Sequence, residues 1–233
     1  MIGLAAWPAM AQQTVINDPN VALRSNVNGF HGVSVTNAID VYLSAGNQET
    51  VAVSAAEVKW RDRIRTEVRD GILHIWLDKE SWLGLGEKNR KLKVYISFIM
   101  LDKINGAGAT NIYVDGVIEG RSLDISLGGA SDFKGAVKVG ALKLNLSGAS
   151  DARMVGMVEG VTTVHSSGAS DLKGYDLVTD TCNAHATGAS DIHITVNKEL
   201  NVHASGASGV YYKGAAVIRE LHSSGASSIG KKS

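Results

Sequence analysis

A Gly-Ala-Ser/Thr tripeptide returns seven times between Gly108 and Ser227, at Gly108-Ala109-Thr110, Gly129-Ala130-Ser131, Gly148-Ala149-Ser150, Gly168-Ala169-Ser170, Gly188-Ala189-Ser190, Gly206-Ala207-Ser208 and Gly225-Ala226-Ser227. The central alanines are 21, 19, 20, 20, 18 and 19 residues apart. A period that regular makes each repeat one structural unit, stable only when stacked on its neighbours.

Alignment on the alanine exposes a period of two. Five residues before it stand Ile104, Ile125, Leu144, Val164, Ala184, Val202 and Leu221, all apolar. Four before it stand Asn105, Ser126, Asn145, His165, His185, His203 and His222, all polar. Three after it stand Ile112, Phe133, Ala152, Leu172, Ile192, Val210 and Ile229, apolar again. Such alternation is the mark of strands with one buried face. Helices are excluded because every repeat is cut by Gly-Ala-Ser and is rich in Val, Thr and Ser. Propeller blades need about 40–45 residues, twice this period. The sequence therefore predicts an all-β parallel solenoid, a β-helix of about twenty residues per turn, with one or two short strands in each repeat. The glycine marks a corner that bends or takes φ > 0.

The region 28–101 lacks the tripeptide but carries strand patterns: Val33–Val35, Ile39–Leu43, Val51–Val53, Ile64–Val68, Ile72–Leu77 and Leu92–Ile96. Asp70-Gly71 signals a tight hairpin between two of them. This region is expected to form an N-terminal β cap on the repeat β-helix of 102–229, followed by a short tail, 230–233. Ser81–Gly86 reads as a glycine-punctuated loop that presents Trp82.

Composition narrows the partners. Lys+Arg and Asp+Glu balance at 23 each, with no basic cluster, so a nucleic-acid surface is not expected. The one cysteine, Cys182, forms no intramolecular disulfide and sits at an apolar strand position, as a small buried hydrophobe would. Met1–Ala11 is apolar and ends in Ala9-Met10-Ala11, an A-x-A pattern before Gln12. It reads as the remnant of a signal peptide without its basic n-region, with 12–27 as an N-terminal extension of the mature chain. No stretch approaches eighteen consecutive apolar residues, so no transmembrane segment is expected. Export follows, to the periplasm, the outer-membrane surface or the extracellular space.

From about Asn28 to Ile229 the chain resembles the head GIN domain family of auto-transporter adhesins. The resemblance rests jointly on GFHGVSVTNAIDVYLSAGN (Gly29–Asn47), RDGILHIWL (Arg69–Leu77), KLKVYISFIMLDKINGAGATNI (Lys91–Ile112), the Gly-Ala-Ser-Asp turns and YYKGAAVIRELHSSGASSI (Tyr211–Ile229). The family usually shows Gly-Ser-Gly where this chain has Gly-Ala-Ser, and a Pro near Met100. The resemblance implies a right-handed parallel β-helix in exported bacterial proteins. It brings no catalytic residues.

Two ladders carry the chemistry. Asp132, Asp151, Asp171 and Asp191 each follow the repeat alanine by two residues. Stacked about 5 Å apart, neighbouring carboxylates repel by roughly 0.8 kcal/mol in water. They must be solvated, hydrogen-bonded at the turn, or bridged by a cation such as Ca²⁺. His165, His185, His203 and His222 form the second ladder and point outward. Stacked imidazoles suit a transition metal, whereas a plain polar column would equally accept Asn or Ser. The reading that needs no ion has no cofactor at either ladder.

No G-x-S-x-G elbow, no HExxH and no phosphate-binding glycine loop with lysine occurs. A polysaccharide lyase or hydrolase is the enzymatic alternative, but such sites need a singular acid/base constellation. The sequence offers even ladders instead. The expected function is therefore non-enzymatic: a binding or structural module whose repeated polar face contacts a glycan or a cell-surface protein over several turns. Trp82, Tyr211 and Tyr212 are the candidate stacking side chains, and association into a homo-oligomer is compatible with this reading.

Overall fold

The glycine of each tripeptide meets two demands at once. In the computed structural model, which describes residues 18, 20–78 and 90–233, every repeat glycine from Gly108 to Gly225 has φ between +72° and +93°. A Cβ on the glycines from Gly129 onward would also collide with the carbonyl oxygen of the glycine one turn earlier. That close approach lets the following alanine N–H donate to the same oxygen: Ala149 to Gly129, Ala169 to Gly148, Ala189 to Gly168 and Ala207 to Gly188, each at 2.7 Å. The third residue of the tripeptide closes the corner from inside. Ser131, Ser150, Ser170, Ser190 and Ser208 are buried, and each hydroxyl donates to the carbonyl three residues back, at 2.8–3.0 Å.

Between these corners the chain is extended. The elements are β1 (Ala22–Arg24), β2 (Gly32–Val35), β3 (Asp40–Ala45), β4 (Thr50–Ser54), the single-turn helix α1 (Val58–Arg61), β5 (Ile64–Arg69), β6 (Ile72–Leu77), β7 (Lys93–Phe98), β8 (Lys103–Gly106) and β9 (Asn111–Leu127). They continue as β10 (Asp132–Leu146), β11 (Asp151–Ser166), β12 (Asp171–Ala186), β13 (Asp191–Ala204), β14 (Gly209–Lys213), β15 (Val217–Ser223) and β16 (Ser228–Lys231). Strand makes up 66% and helix 2%, in a β-solenoid of about six turns with about twenty residues per turn.

The predicted short strands are in fact long ones. β9 to β13 run for 14–17 residues each and pair in parallel with their neighbours almost throughout. They turn corners by register shifts rather than by breaks. In β12, Leu172 and Gly174 face inward, then Leu177 and Thr179, then Cys182, Ala184 and Ala186. Tyr175-Asp176 and Asp180-Thr181 are the two places where consecutive residues face outward, so one strand covers three sides. Irregularities of this kind swing a strand without ending its ladder.

The positions predicted to face inward are buried from Ile104 to Val202 and from Ile112 to Val210. Each fully buried Val, Leu or Ile contributes about 1.5–3 kcal/mol. Leu221 differs: it is 50% exposed, because β15 pairs with β13 on one side only among the described residues.

Residues 28–101 contribute rungs to the same ladder. β2 pairs in parallel with β8, and β3 with β9, so Val33 lies on Ile104 and Val41 on Ile112. β6 on β2 and β7 on β3 continue the parallel ladder, and beyond them the pairing turns antiparallel, β1 on β4, β4 on β7 and β5 on β6. Asp70 (φ 50°) and Gly71 (φ 72°) make the predicted hairpin turn between β5 and β6.

Candidate functional site

Two outward faces flank each Gly-Ala-Ser corner, one before it and one after. The face before the corner carries the histidines. Register places His165 on His185, His185 on His203 and His203 on His222. Their rings stack at centroid separations of 4.6, 4.9 and 4.5 Å, with interplanar angles of 15°, 14° and 26°. The column continues through Asn145, Ser126 and Asn105, where Asn145 Nδ2 donates to Ser126 Oγ at 3.1 Å. Burial first, and then the neighbouring His165 and His203, hold the His185 imidazole below its ordinary pKa. The lowered value favours the neutral form of the His185 ring.

The column beside it, two residues earlier in each strand, holds Thr163, Asn183, Asn201 and Glu220. Only the last of these is charged. His203, Glu220 and His222 bring three ligand atoms within 4.8 Å of one another, the one such His/Cys/Asp/Glu group among the described residues. His185, His203 and His222 also line a concavity of about 470 Å³, with Thr187, Leu221 and Ser223.

The face after the corner carries the acid ladder. Asp132, Asp151, Asp171 and Asp191 are in register on β10 to β13, and Asn111 and Asp40 extend the column toward the N-terminus. Two of the four carboxylates have partners within the protein. Lys173 Nζ pairs with Asp151 Oδ2 at 2.7 Å, and the Asp191 N–H donates to Asp171 Oδ1 at 3.1 Å. The ladder does not bring three carboxylates together.

Two residues further along each strand lies a second column that sequence periodicity alone did not expose. It runs Tyr95, Tyr42, Tyr113, Lys134, Arg153, Lys173, His193 and Tyr211, rung on rung. Tyr42 is sandwiched between Tyr95 and Tyr113 at 5.1 and 5.3 Å. Burial raises the pKa of all three phenols, helped at Tyr42 and Tyr113 by Asp40, so they remain neutral hydroxyl donors. At the other end His193 stacks on Tyr211 at 5.2 Å and meets Tyr175 edge-on at 5.1 Å. The signal lay in a short phrase used three times, Asp40-Val41-Tyr42, Lys93-Val94-Tyr95 and Asn111-Ile112-Tyr113.

Of the candidate stacking residues, Tyr211 is on this face, with Lys232 Nζ 4.9 Å over its ring. Tyr212 points the other way. Strand alternation turns it into the core beside Ile194, where it is 8% exposed and closed to a ligand. Trp82 and Met1–Ala11 lie outside the described residues. Cys182 is fully buried between Thr162 and Leu200, and burial pushes its thiol pKa up to about 12.

The same fold occurs in solved structures of low sequence identity. A "putative adhesin" from Bacteroides fragilis matches at TM-score 0.81 and 18% identity, covering 92% of this chain and 98% of that one. A "putative adhesin" from Parabacteroides distasonis gives 0.69 and 14%, covering 91% and 97%. A "putative lipid binding protein" from the same species gives 0.65 and 16%, covering 92% and 98%. No curated protein matches significantly. No described helix is long and apolar enough to cross a membrane. The family model described as "Putative auto-transporter adhesin, head GIN domain" matches residues 29–216, the span that holds nearly all these rungs, and the chain belongs to that family.

Proposed function

We propose that this chain is an exported, non-enzymatic binding module that holds a glycan along the face after the corner. The observation that carries the reading is the pair of parallel columns on that face, acids in one and Tyr, Lys and Arg in the other, repeated rung by rung. Hydroxyl-rich chains need acceptors and donors together. The aspartates accept, while Lys134, Arg153, Lys173 and the neutral tyrosines donate. Rungs about 4.7–4.9 Å apart meet successive sugars with similar groups, so modest contacts add up along the chain. The backbone ladder holds these side chains in place before binding, which keeps the ordering cost low. Membership of a family named for adhesins fits a surface-exposed or exported binding protein. Among the described residues the acid rungs repeat without a singular catalytic pair, which supports binding over cleavage.

The test is a glycan array probed with the chain from Gln12 onward, beside a variant carrying Lys134→Ala, Arg153→Ala and Lys173→Ala. Capture of a defined glycan set that the variant loses is expected. Equal capture by both would contradict the assignment of this face. Release of reducing ends from a captured polysaccharide would contradict the non-enzymatic reading.

A further inference from the structure

We propose that the last rungs of the histidine face form a divalent transition-metal site, with His203, Glu220 and His222 as its protein ligands. The site is separate from the proposed glycan face, and neither depends on the other.

The histidine column changes character at its C-terminal end. At the rungs of His165 and His185 the adjacent outward positions are Thr163 and Asn183, which cannot neutralise a cation. At the rung of His222 the adjacent position is Glu220. Arg219, which precedes it, does not quench that charge: its guanidinium turns to Glu199 Oε1 at 3.0 and 3.2 Å. The carboxylate therefore stands beside two imidazoles.

Geometry permits closure on one ion. Three atoms that all lie within 4.8 Å of one another fit within about 2.8 Å of a common centre. Zinc bonds to His nitrogen and to carboxylate oxygen are about 2.0–2.2 Å long. Side-chain rotation on a partly exposed rung covers the difference, and His222 and Glu220 are both exposed. Two imidazoles and a carboxylate form a donor set that suits Zn²⁺ or Cu²⁺, whereas Ca²⁺ prefers oxygen alone. The concavity beside His185, His203 and His222 leaves room for water or a partner's side chain at the open coordination positions.

A second observation comes from the rung below. Asn201 is in register with Glu220, and its Nδ2 donates to Asn183 Oδ1 at 2.9 Å. Its Oδ1 is buried without a hydrogen-bond partner among the described residues. A buried acceptor with no donor is what a nearby cation, or water bound to it, would satisfy.

The test is calorimetric titration of Zn²⁺, and of Cu²⁺ followed by electron paramagnetic resonance, into the chelator-treated full chain without an affinity tag. One ion per chain is expected, with nitrogen hyperfine structure in the copper spectrum. His222→Asn and His203→Asn should abolish binding. Glu220→Gln should weaken it by at least the roughly 10–100-fold that loss of an outer-shell partner costs. His165→Asn, at the far end of the same stack, should bind like the parent. Far-ultraviolet circular dichroism of each variant separates loss of a ligand from loss of fold, and Glu220→Gln at an exposed position keeps the test open if a histidine variant misfolds. No binding would overturn the proposal. So would Glu220→Gln binding as the parent does, or His165→Asn failing as His222→Asn does, since either makes any stacked pair sufficient.

Discussion

The carbonyl oxygen of Gly168 stands 2.7 Å from the point where a Cβ on Gly188 would lie, and Gly188 has φ +80°. The same oxygen accepts the Ala189 N–H at 2.7 Å, so the corner holds two turns together through a contact that only glycine allows. Gly188→Ala should therefore destabilise the fold by about 2–4 kcal/mol, combining left-handed strain with the collision. Ala189→Ser, one residue on and exposed, should stay within about 0.5 kcal/mol of the parent. Urea unfolding of the two variants checks the contrast, and equal stabilities would refute the role given to the corner.

Leu144 and Val164 stack on each other inside the solenoid, and both are fully buried. Replacing either by Asp places a carboxylate between two apolar turns and should prevent folding, a cost above about 4 kcal/mol. Lys143 and Thr163, one position away and facing out, should accept Ser with a change below about 0.5 kcal/mol. Thermal melts of the four variants read this directly. Similar losses on both faces would mean that the inward and outward registers are misassigned.

The His185 imidazole titrates below its ordinary value near 6.5, through burial and then its stacked neighbours His165 and His203. A depressed folded value means the unfolded chain takes up the proton first. The stability it contributes is present above about pH 6.5 and is lost as pH falls through the folded value. Denaturation midpoints should drop between about pH 7.5 and about pH 5. His185→Asn, the residue type found in the same column at Asn145, should flatten that slope. An unchanged slope in the variant would remove His185 as the source.

Cys182 should be inert while the protein is folded, since its thiol is fully buried and titrates at about 12. A thiol-reactive chromophore should report no reaction under native conditions and one equivalent in denaturant. Prompt labelling of the native chain would show that the solenoid opens between β11 and β13.

The repeat was legible because it is written twice, in the glycine spacing and in the alternation before and after it. Leu144, Val164 and Ile192 are buried as that pattern requires. Strand length was not legible. The alternation lapses at Tyr175-Asp176 and Asp180-Thr181, where side chains change face while backbone pairing goes on. The two ladders were visible as columns because their rungs come from successive repeats. The stacked tyrosines were not, because Tyr42, Tyr95 and Tyr113 meet through the order β7-β3-β9, which is not the order of the chain. Glu220 escaped notice because it shares its column with Asn201, Asn183 and Thr163 and is special only beside two histidines. Tyr211 and Tyr212 are neighbours in sequence, and strand alternation alone decides that one faces out and the other in.

A face that binds by repetition spreads its energy over many rungs, whereas a catalytic centre concentrates it in one. The direct measurement is calorimetry of a captured glycan against Asp132→Asn, Asp151→Asn, Asp171→Asn and Asp191→Asn, singly and in combination. The expected result is a modest loss for each single change, about two- to fivefold or roughly 0.4–1 kcal/mol, growing as changes are combined. Abolition by one substitution with the other three silent, or full affinity in the quadruple variant, would contradict a binding face built from the ladder.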